Sequence, residues 1–174
     1  MQLPGTTLLV IDDDDHVRQR ISAHLEHGGY DVLQASDASE GLAAFTAQRP
    51  GLVLCDLHLG HGRGFELVRE ITDSAPDIPV IVVSDSGLMS DVVEALRLGA
   101  SDYLIKPLDD LVLLEHAVRR SLDRSRLRIE NQRIRERLER ANRDLENHLK
   151  ELRDDQAAGH QVQLNMLPAS PWVS

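Results

Sequence analysis

The stretch Leu52-Val53-Leu54-Cys55-Asp56 constrains this chain most. Four apolar residues follow a Pro50-Gly51 break and run into a lone acid, after which comes a loop with Gly60, Gly62 and Gly64. A short, continuous apolar run between turn signals reads as a strand buried on both faces, the kind found in parallel sheets. An aspartate at the carboxyl end of such a strand sits where open α/β sheets place their reactive groups. Taken alone, Asp56 is equally well a loop acid or a helix cap.

The rest of the chain repeats the theme. Thr6 to Ile11 reads as a buried strand and ends in four aspartates, Asp12 to Asp15. Val17, Ile21 and Leu25, spaced four apart, mark a helix that Gly28-Gly29 ends. Tyr30 to Ala35 reads as a second strand. Ser36 or Asp37 can cap the next helix, with Glu40 at capping-box spacing from Asp37. Beyond the glycine loop, Phe65, Leu67, Val68 and Ile71 mark a helix, and Pro79 to Val83 reads as a fourth strand ending at Ser84-Asp85. Val92, Val93, Leu96 and Leu98 mark another helix, stopped by Gly99. Asp102 to Ile105 reads as a fifth strand ending at Lys106-Pro107. Strands alternating with helices imply crossover connections and a parallel sheet covered on both faces.

Charge divides the chain. Of the net −10, residues 1–110 contribute −12 and residues 111–155 contribute +2, which argues for two physically different parts. The acidic first part is a poor surface for nucleic acid because it repels phosphates. The single cysteine, Cys55, excludes an intramolecular disulfide framework and suits a reducing cytosol. No apolar run approaches the roughly 20 residues of a membrane span, and the first residues lack the pattern of a signal peptide. A cytoplasmic protein without membrane contact is the expectation.

From Leu108 to Ala158 there is no Gly or Pro, and a helix is expected from Asp109 or Asp110 onward. About 45 helical residues make a rod of roughly 70 Å, too long to be buried along its length by one small domain. Asn131, Leu138, Leu145 and Leu152 lie seven apart, and Leu127, Ile134, Ala141 and His148 lie seven apart four residues before them. These are the a and d positions of a heptad seam, and an asparagine at a favours a parallel two-stranded pairing. A homodimer through this coiled coil is expected over a lone charged helix. Gly159 is expected to break the helix, leaving 158–174 as a tail or the start of a truncated effector domain.

In a parallel sheet the carboxyl ends of the strands share one edge. If strands one, three, four and five are neighbours, Asp12, Asp13, Asp56, Ser84 and Lys106 meet in one pocket. Clustered carboxylates repel and need a cation or a lysine among them. Oxygen ligands with room for water suit Mg²⁺. A cation, a lysine and a hydroxyl donor around one carboxylate are what an aspartyl phosphate needs. Capping and the positive helix end account for Asp15 and Asp14, but not for acids, hydroxyl and lysine recurring at four strand ends.

Val10-Ile11-Asp12-Asp13-Asp14, Leu54-Cys55-Asp56-Leu57, Val82-Val83-Ser84 and Asp102-Tyr103-Leu104-Ile105-Lys106-Pro107 together resemble the receiver domain of two-component response regulators. The resemblance covers about residues 6–122. It implies a flavodoxin-like α/β fold, a five-stranded doubly wound parallel sheet of order 2-1-3-4-5. It implies that Asp56 accepts a phosphoryl group from a histidine kinase or phosphotransfer protein. Asp12, Asp13, Asp56 and the backbone carbonyl of His58 would hold Mg²⁺, Ser84 and Lys106 would bind the phosphoryl group, and Tyr103, with Ser84, would carry the switch. The chain departs from the usual pattern at Gly60, at Arg63-Gly64 and at Asp85, where a small residue is usual. A second acid beside the pocket would weaken phosphorylation or shorten its life. His58 and His61 alone make a poor soft-metal site.

The expected organisation is a receiver at 1–122, a coiled-coil helix at 123–157 and the segment 158–174. No helix-turn-helix with a basic face follows the receiver, so direct DNA binding is not expected. Ala158 to Pro168 resembles the opening of PP2C-like (SpoIIE-type) phosphatase domains, and Asp91 to Gly99 is similar to RssB-like adaptors that deliver a sigma factor to a protease. Two readings follow. The first is a non-enzymatic, phosphorylation-switched module acting on a sigma factor or anti-sigma partner. The alternative is the regulatory half of a PP2C-like phosphatase. Metal-binding aspartates in sequence downstream of Ser174 would discriminate them.

Overall fold

The computed structural model describes residues 5–166, with side chains through Ala158. Five parallel strands form one sheet in the order β2-β1-β3-β4-β5. They are β1 (Thr7–Ile11), β2 (Asp31–Ala35), β3 (Leu52–Cys55), β4 (Val80–Ser84) and β5 (Asp102–Ile105). The intervening helices are α1 (Asp15–His27), α2 (Ala38–Gln48), α3 (Gly64–Ser74) and α4 (Met89–Arg97), and α5 (Leu111–Met166) follows β5.

The inner strands β1, β3 and β4 show no polar alternation because both of their faces are covered. Leu9, Ile11, Val53, Cys55, Val80 and Val82 point into one core, with Phe45 of α2, Val68 and Ile71 of α3 and Ala95 of α4. Leu8, Val10, Leu52, Leu54, Ile81 and Val83 point into the other, with Ile21 and Leu25 of α1 and Leu114 and Val118 of α5. Period-two alternation along each strand therefore sorts residues between two apolar layers. The central strands β3 and β4 are buried at every position.

Caps set where the helices begin. The Asp14 carboxylate accepts from the backbone N–H groups of His16 and Val17 and starts α1, while Asp15 pairs with Arg18 at 2.5 Å. At α2 the Asp37 side chain accepts from the Glu40 N–H at 2.8 Å. The Glu40 carboxylate reaches back one residue further than box spacing anticipates, to the N–H and hydroxyl of Ser36, both at 2.9 Å. The two candidate caps thus share the work.

Four boundaries differ from expectation. Thr6, Tyr30 and Pro79 lie just outside their strands. Pro79 lacks the N–H that ladder pairing uses, although its carbonyl accepts from Val53 N at 3.0 Å. The largest difference is Gly159, which does not end α5: the helix continues to Met166. A helical glycine costs only about 1 kcal/mol against alanine, and good helix formers, Gln156 to Ala158 and then Gln161, Gln163 and Leu164, flank it. Residues 167–174, with Trp172, lie outside the described residues.

Contacts divide the chain into one compact unit ending at Ile129 and a second beginning at Glu130. The early turns of α5 belong to the first because Ser125 Oγ donates to the Asp77 carbonyl at 2.5 Å and Arg128 approaches the Asp77 carboxylate at 3.5 Å. Among the described residues no helix is long and apolar enough to cross a membrane.

Candidate functional site

The ladder is stitched up to its carboxyl edge, and this fixes where the functional groups stand. Asp12 N donates to Ala35 O at 3.1 Å, Asp56 N to Ile11 O at 3.0 Å and Lys106 N to Ser84 O at 2.8 Å. Each of these residues is the one that leaves its strand or the strand's last member, so the backbone is anchored while the side chain enters the pocket. Gly64, the first residue of α3, secures the floor. A Cβ there would fall on backbone atoms of Asp56 and Leu57, so only glycine lets α3 start this close to the acid.

Asp12 and Asp56 are buried, Ser84 is fully buried and Asp13 is exposed at the rim. The carboxylates of Asp12, Asp13 and Asp56 each offer one oxygen within 4.8 Å of the others. Lys106 Nζ bridges two of them, 2.7 Å from Asp12 Oδ2 and 3.3 Å from Asp56 Oδ2. The other oxygens are engaged locally: Asp14 N–H donates to Asp12 Oδ1 at 2.9 Å, and His58 N–H to Asp56 Oδ1 at 3.1 Å. Burial raises the Asp12 pKa above its ordinary value, and the Lys106 and Asp14 hydrogen bonds only partly oppose it. Burial pulls the Lys106 pKa down, but the Asp12 hydrogen bond and the charges of Asp56 and Asp12 outweigh it, and the lysine ends above its ordinary value. Lys106 is thus held as a cation among acids. Two buried carboxylates and a third at the exposed rim give three hard-oxygen donors, a set that fits a divalent cation such as Mg²⁺, which keeps part of its water.

Asp12, Asp13, Asp56, Ser84 and Lys106 are therefore brought to one edge, as the strand ends imply. Tyr103 is half-buried on β5, and its hydroxyl donates to the Ser86 carbonyl at 2.8 Å, tying β5 to the loop that follows Ser84. Cys55 is buried and free, and burial pushes its thiol pKa up, so it serves as a core residue. His61 does not join the acid cluster, which is the only such metal-capable group among the described residues.

Sequence reasoning gave His58 a role through its backbone alone and missed its side chain. Nδ1 of His58 lies 3.0 Å from Ser84 Oγ and 2.8 Å from Asp85 Oδ1. The available signal was positional: with β3 beside β4, a long polar side chain two residues past Asp56 faces the end of β4. Asp85 is turned to this histidine with its side chain 73% exposed, so its charge acts on the pocket largely through solvent.

An all-parallel 2-1-3-4-5 sheet with acids, a hydroxyl and a lysine at one edge defines a phosphoryl-receiving α/β domain. The response regulator receiver domain family matches residues 8–118, and the chain belongs to it. DctD of Pseudomonas aeruginosa, a C4-dicarboxylate transport transcriptional regulatory protein, is 37% identical over 75% of this chain and 28% of its own length. PilH of the same organism is 36% identical over 62% of this chain and 91% of PilH. A CheY-like receiver from Methanospirillum hungatei superposes with a TM-score of 0.66 at 30% identity, covering 71% of this chain and 98% of that one. NtrX of Brucella abortus gives 0.68 at 33% identity, covering 75% of this chain and 30% of NtrX. The chain spans about a quarter to half of the length of the first several curated relatives, which carry further regions. A receiver implies a histidine kinase or phosphotransfer protein as its phosphoryl source.

Proposed function

We propose that Asp56 is the phosphoacceptor and that its phosphorylation switches an effector or partner through a dimeric α5. The observation that carries this is the pocket itself: Lys106 Nζ between Asp12 and Asp56, with Ser84 buried at the adjacent strand end. An Asp56 oxygen attacks the donor's phosphorus, the bond from phosphorus to the leaving group breaks, and the leaving group takes the electron pair. Lys106 is placed to meet the negative charge on the transferred group, and the Ser84 hydroxyl to donate to one of its oxygens. Asp12, Asp13, Asp56 and the His58 carbonyl would hold Mg²⁺, which when bound would further neutralise the phosphoryl charge. In this reading the receiver acts as a phosphoryl acceptor.

The receiver occupies 1–122 and the coiled coil 123–157. Apolar side chains stand exposed at Val93 and Leu96 of α4, Ile105 of β5 and Val112 and Leu113 of α5. They give the Tyr103 side of the domain a surface on which two receivers meet differently after phosphorylation. Control of a sigma factor through such an adaptor surface is the output this reading favours, in the cytoplasm and without direct DNA binding.

Incubation with acetyl phosphate and Mg²⁺ followed by intact-mass measurement tests the assignment. One added phosphoryl group is expected in the wild type and none in Asp56→Asn. Equal labelling of the two proteins rejects Asp56 as the acceptor.

A further inference from the structure

We infer that His58, held by Asp85, is a positioning residue that aims the Ser84 hydroxyl into the phosphoryl pocket. The inference rests on Asp56 being the acceptor. A hydroxyl oxygen has one hydrogen to donate and two lone pairs to accept with. Ser84 Oγ receives the Ser86 backbone N–H at 3.3 Å, which fills one lone pair. Nδ1 of His58 stands 3.0 Å away at the second.

The proton on that nitrogen is fixed by its other neighbour. Asp85 Oδ1 lies 2.8 Å from Nδ1, and a carboxylate only accepts, so Nδ1 carries the hydrogen. Nδ1–H is shared between Asp85 and Ser84, and Ser84 Oγ accepts from both His58 and Ser86. Its own hydrogen is then the one group left to direct. The Nδ1 atom is also 4.0 Å from Asp56 Oδ1, which places the histidine on the rim between acceptor and hydroxyl. With both lone pairs turned toward His58 and Ser86, the Ser84 O–H points to where the oxygens of an incoming phosphoryl group arrive. No rotation of the hydroxyl is then needed during transfer, in which the Asp56-oxygen-to-phosphorus bond forms as the bond to the leaving acetate breaks. His58 touches neither the phosphorus nor the departing group. It acts through Ser84, and Asp85 acts through His58.

The role predicts non-additivity. His58→Ala should lower the rate of Asp56 labelling at saturating acetyl phosphate and Mg²⁺ by roughly five- to tenfold, the effect of losing one oriented hydrogen bond, with little change in the half-saturating donor concentration. His58→Asn, whose amide N–H reaches the place of Nδ1–H, should recover most of that rate. In a Ser84→Ala background the further change to His58→Ala should alter the rate less than about twofold, because the residues act in series. A second measurement needs neither metal nor donor: ¹⁵N–¹H correlation NMR of the histidine rings in the wild type should find a proton on Nδ1 of His58. Additive losses in the double variant, an undiminished rate in His58→Ala, or a proton confined to Nε2 would overturn the positioning role. A wild type that takes no phosphoryl group on Asp56 would instead overturn the acceptor reading beneath it.

Discussion

Lys106 Nζ and Asp12 Oδ2 meet at 2.7 Å although 94 residues separate them in sequence. This contact closes the pocket from the β5 side, and it makes Lys106 a structural counter-ion before any phosphoryl group arrives. Removing one partner of a well-buried pair leaves an uncompensated charge, and breaking such pairs costs about 3–5 kcal/mol. Lys106 retains some access to solvent, so about 2 kcal/mol is the expected loss for Lys106→Met in metal-free protein. The lysine's folded pKa is raised from 10.5, so its contribution is fully present below that value and is lost as pH rises through the folded pKa. Urea titration at neutral pH and above 10.5 checks both parts: the gap between variant and wild type should shrink in the alkaline range.

Asp12 has the opposite sense. Its pKa is raised above 3.8, chiefly by burial, so the folded state holds the proton more tightly than the unfolded chain. From 3.8 up through the folded pKa the native state binds more protons, and stability from this group falls as pH rises. In metal-free protein Asp12→Asn should therefore have the higher urea midpoint at neutral pH, and the advantage should shrink as pH falls toward 3.8. Saturating Mg²⁺ should reverse the order, because a cation that binds only the folded wild type adds to its stability. A pH-independent gap would show that Asp12 is not the group under strain.

Gly64→Ala should be among the most damaging single substitutions outside the polar groups. The added Cβ would meet backbone of Asp56 and Leu57, which cannot rotate away as a side chain can. Overpacking of this kind costs typically 1–3 kcal/mol, and more when backbone must move. Urea midpoints should drop accordingly, and acetyl phosphate labelling of Asp56 should fall as well. Gly60→Ala, with open space around its Cβ, serves as the control and should leave both near wild type.

The parallel sheet and its acid edge were legible because both are written locally. Apolar runs with no polar alternation mean a sheet covered on both faces, and each run is followed at once by the group it delivers. The His58 side chain was not legible, since its partners Ser84 and Asp85 lie on a different strand end and become neighbours only through the β3–β4 pairing. The role of Gly64 was hidden for the same reason: what it must avoid is backbone of an earlier segment. Gly159 misled in the other direction, because a single glycine weighs about 1 kcal/mol against a long run of favourable helix residues.

Helix α5 carries the last prediction, a parallel dimer through residues about 125 to 155, most of them in the second unit, which begins at Glu130. Within α5, Leu127, Ile134, Leu138, Leu145 and Leu152 are between 45% and 64% exposed, although each is a large apolar side chain. A stripe of this kind on one helix is costly in water and is relieved by pairing. The heptad spacing makes a second copy of the same helix the simplest partner. Asn131, at an a position among leucines, finds its polar partner in a mate at the same level, which favours parallel over antiparallel alignment. In that alignment the two receivers are expected at one end of the pair. Leu138→Asp combined with Leu145→Asp should give monomers by light scattering with far-UV and near-UV signals of a folded receiver. Asn131→Cys should form a disulfide with its counterpart under mild oxidation, as parallel in-register helices require. A wild type that stays monomeric on the order of tens of micromolar rejects the coil, because a stable two-stranded seam of this length should be associated there.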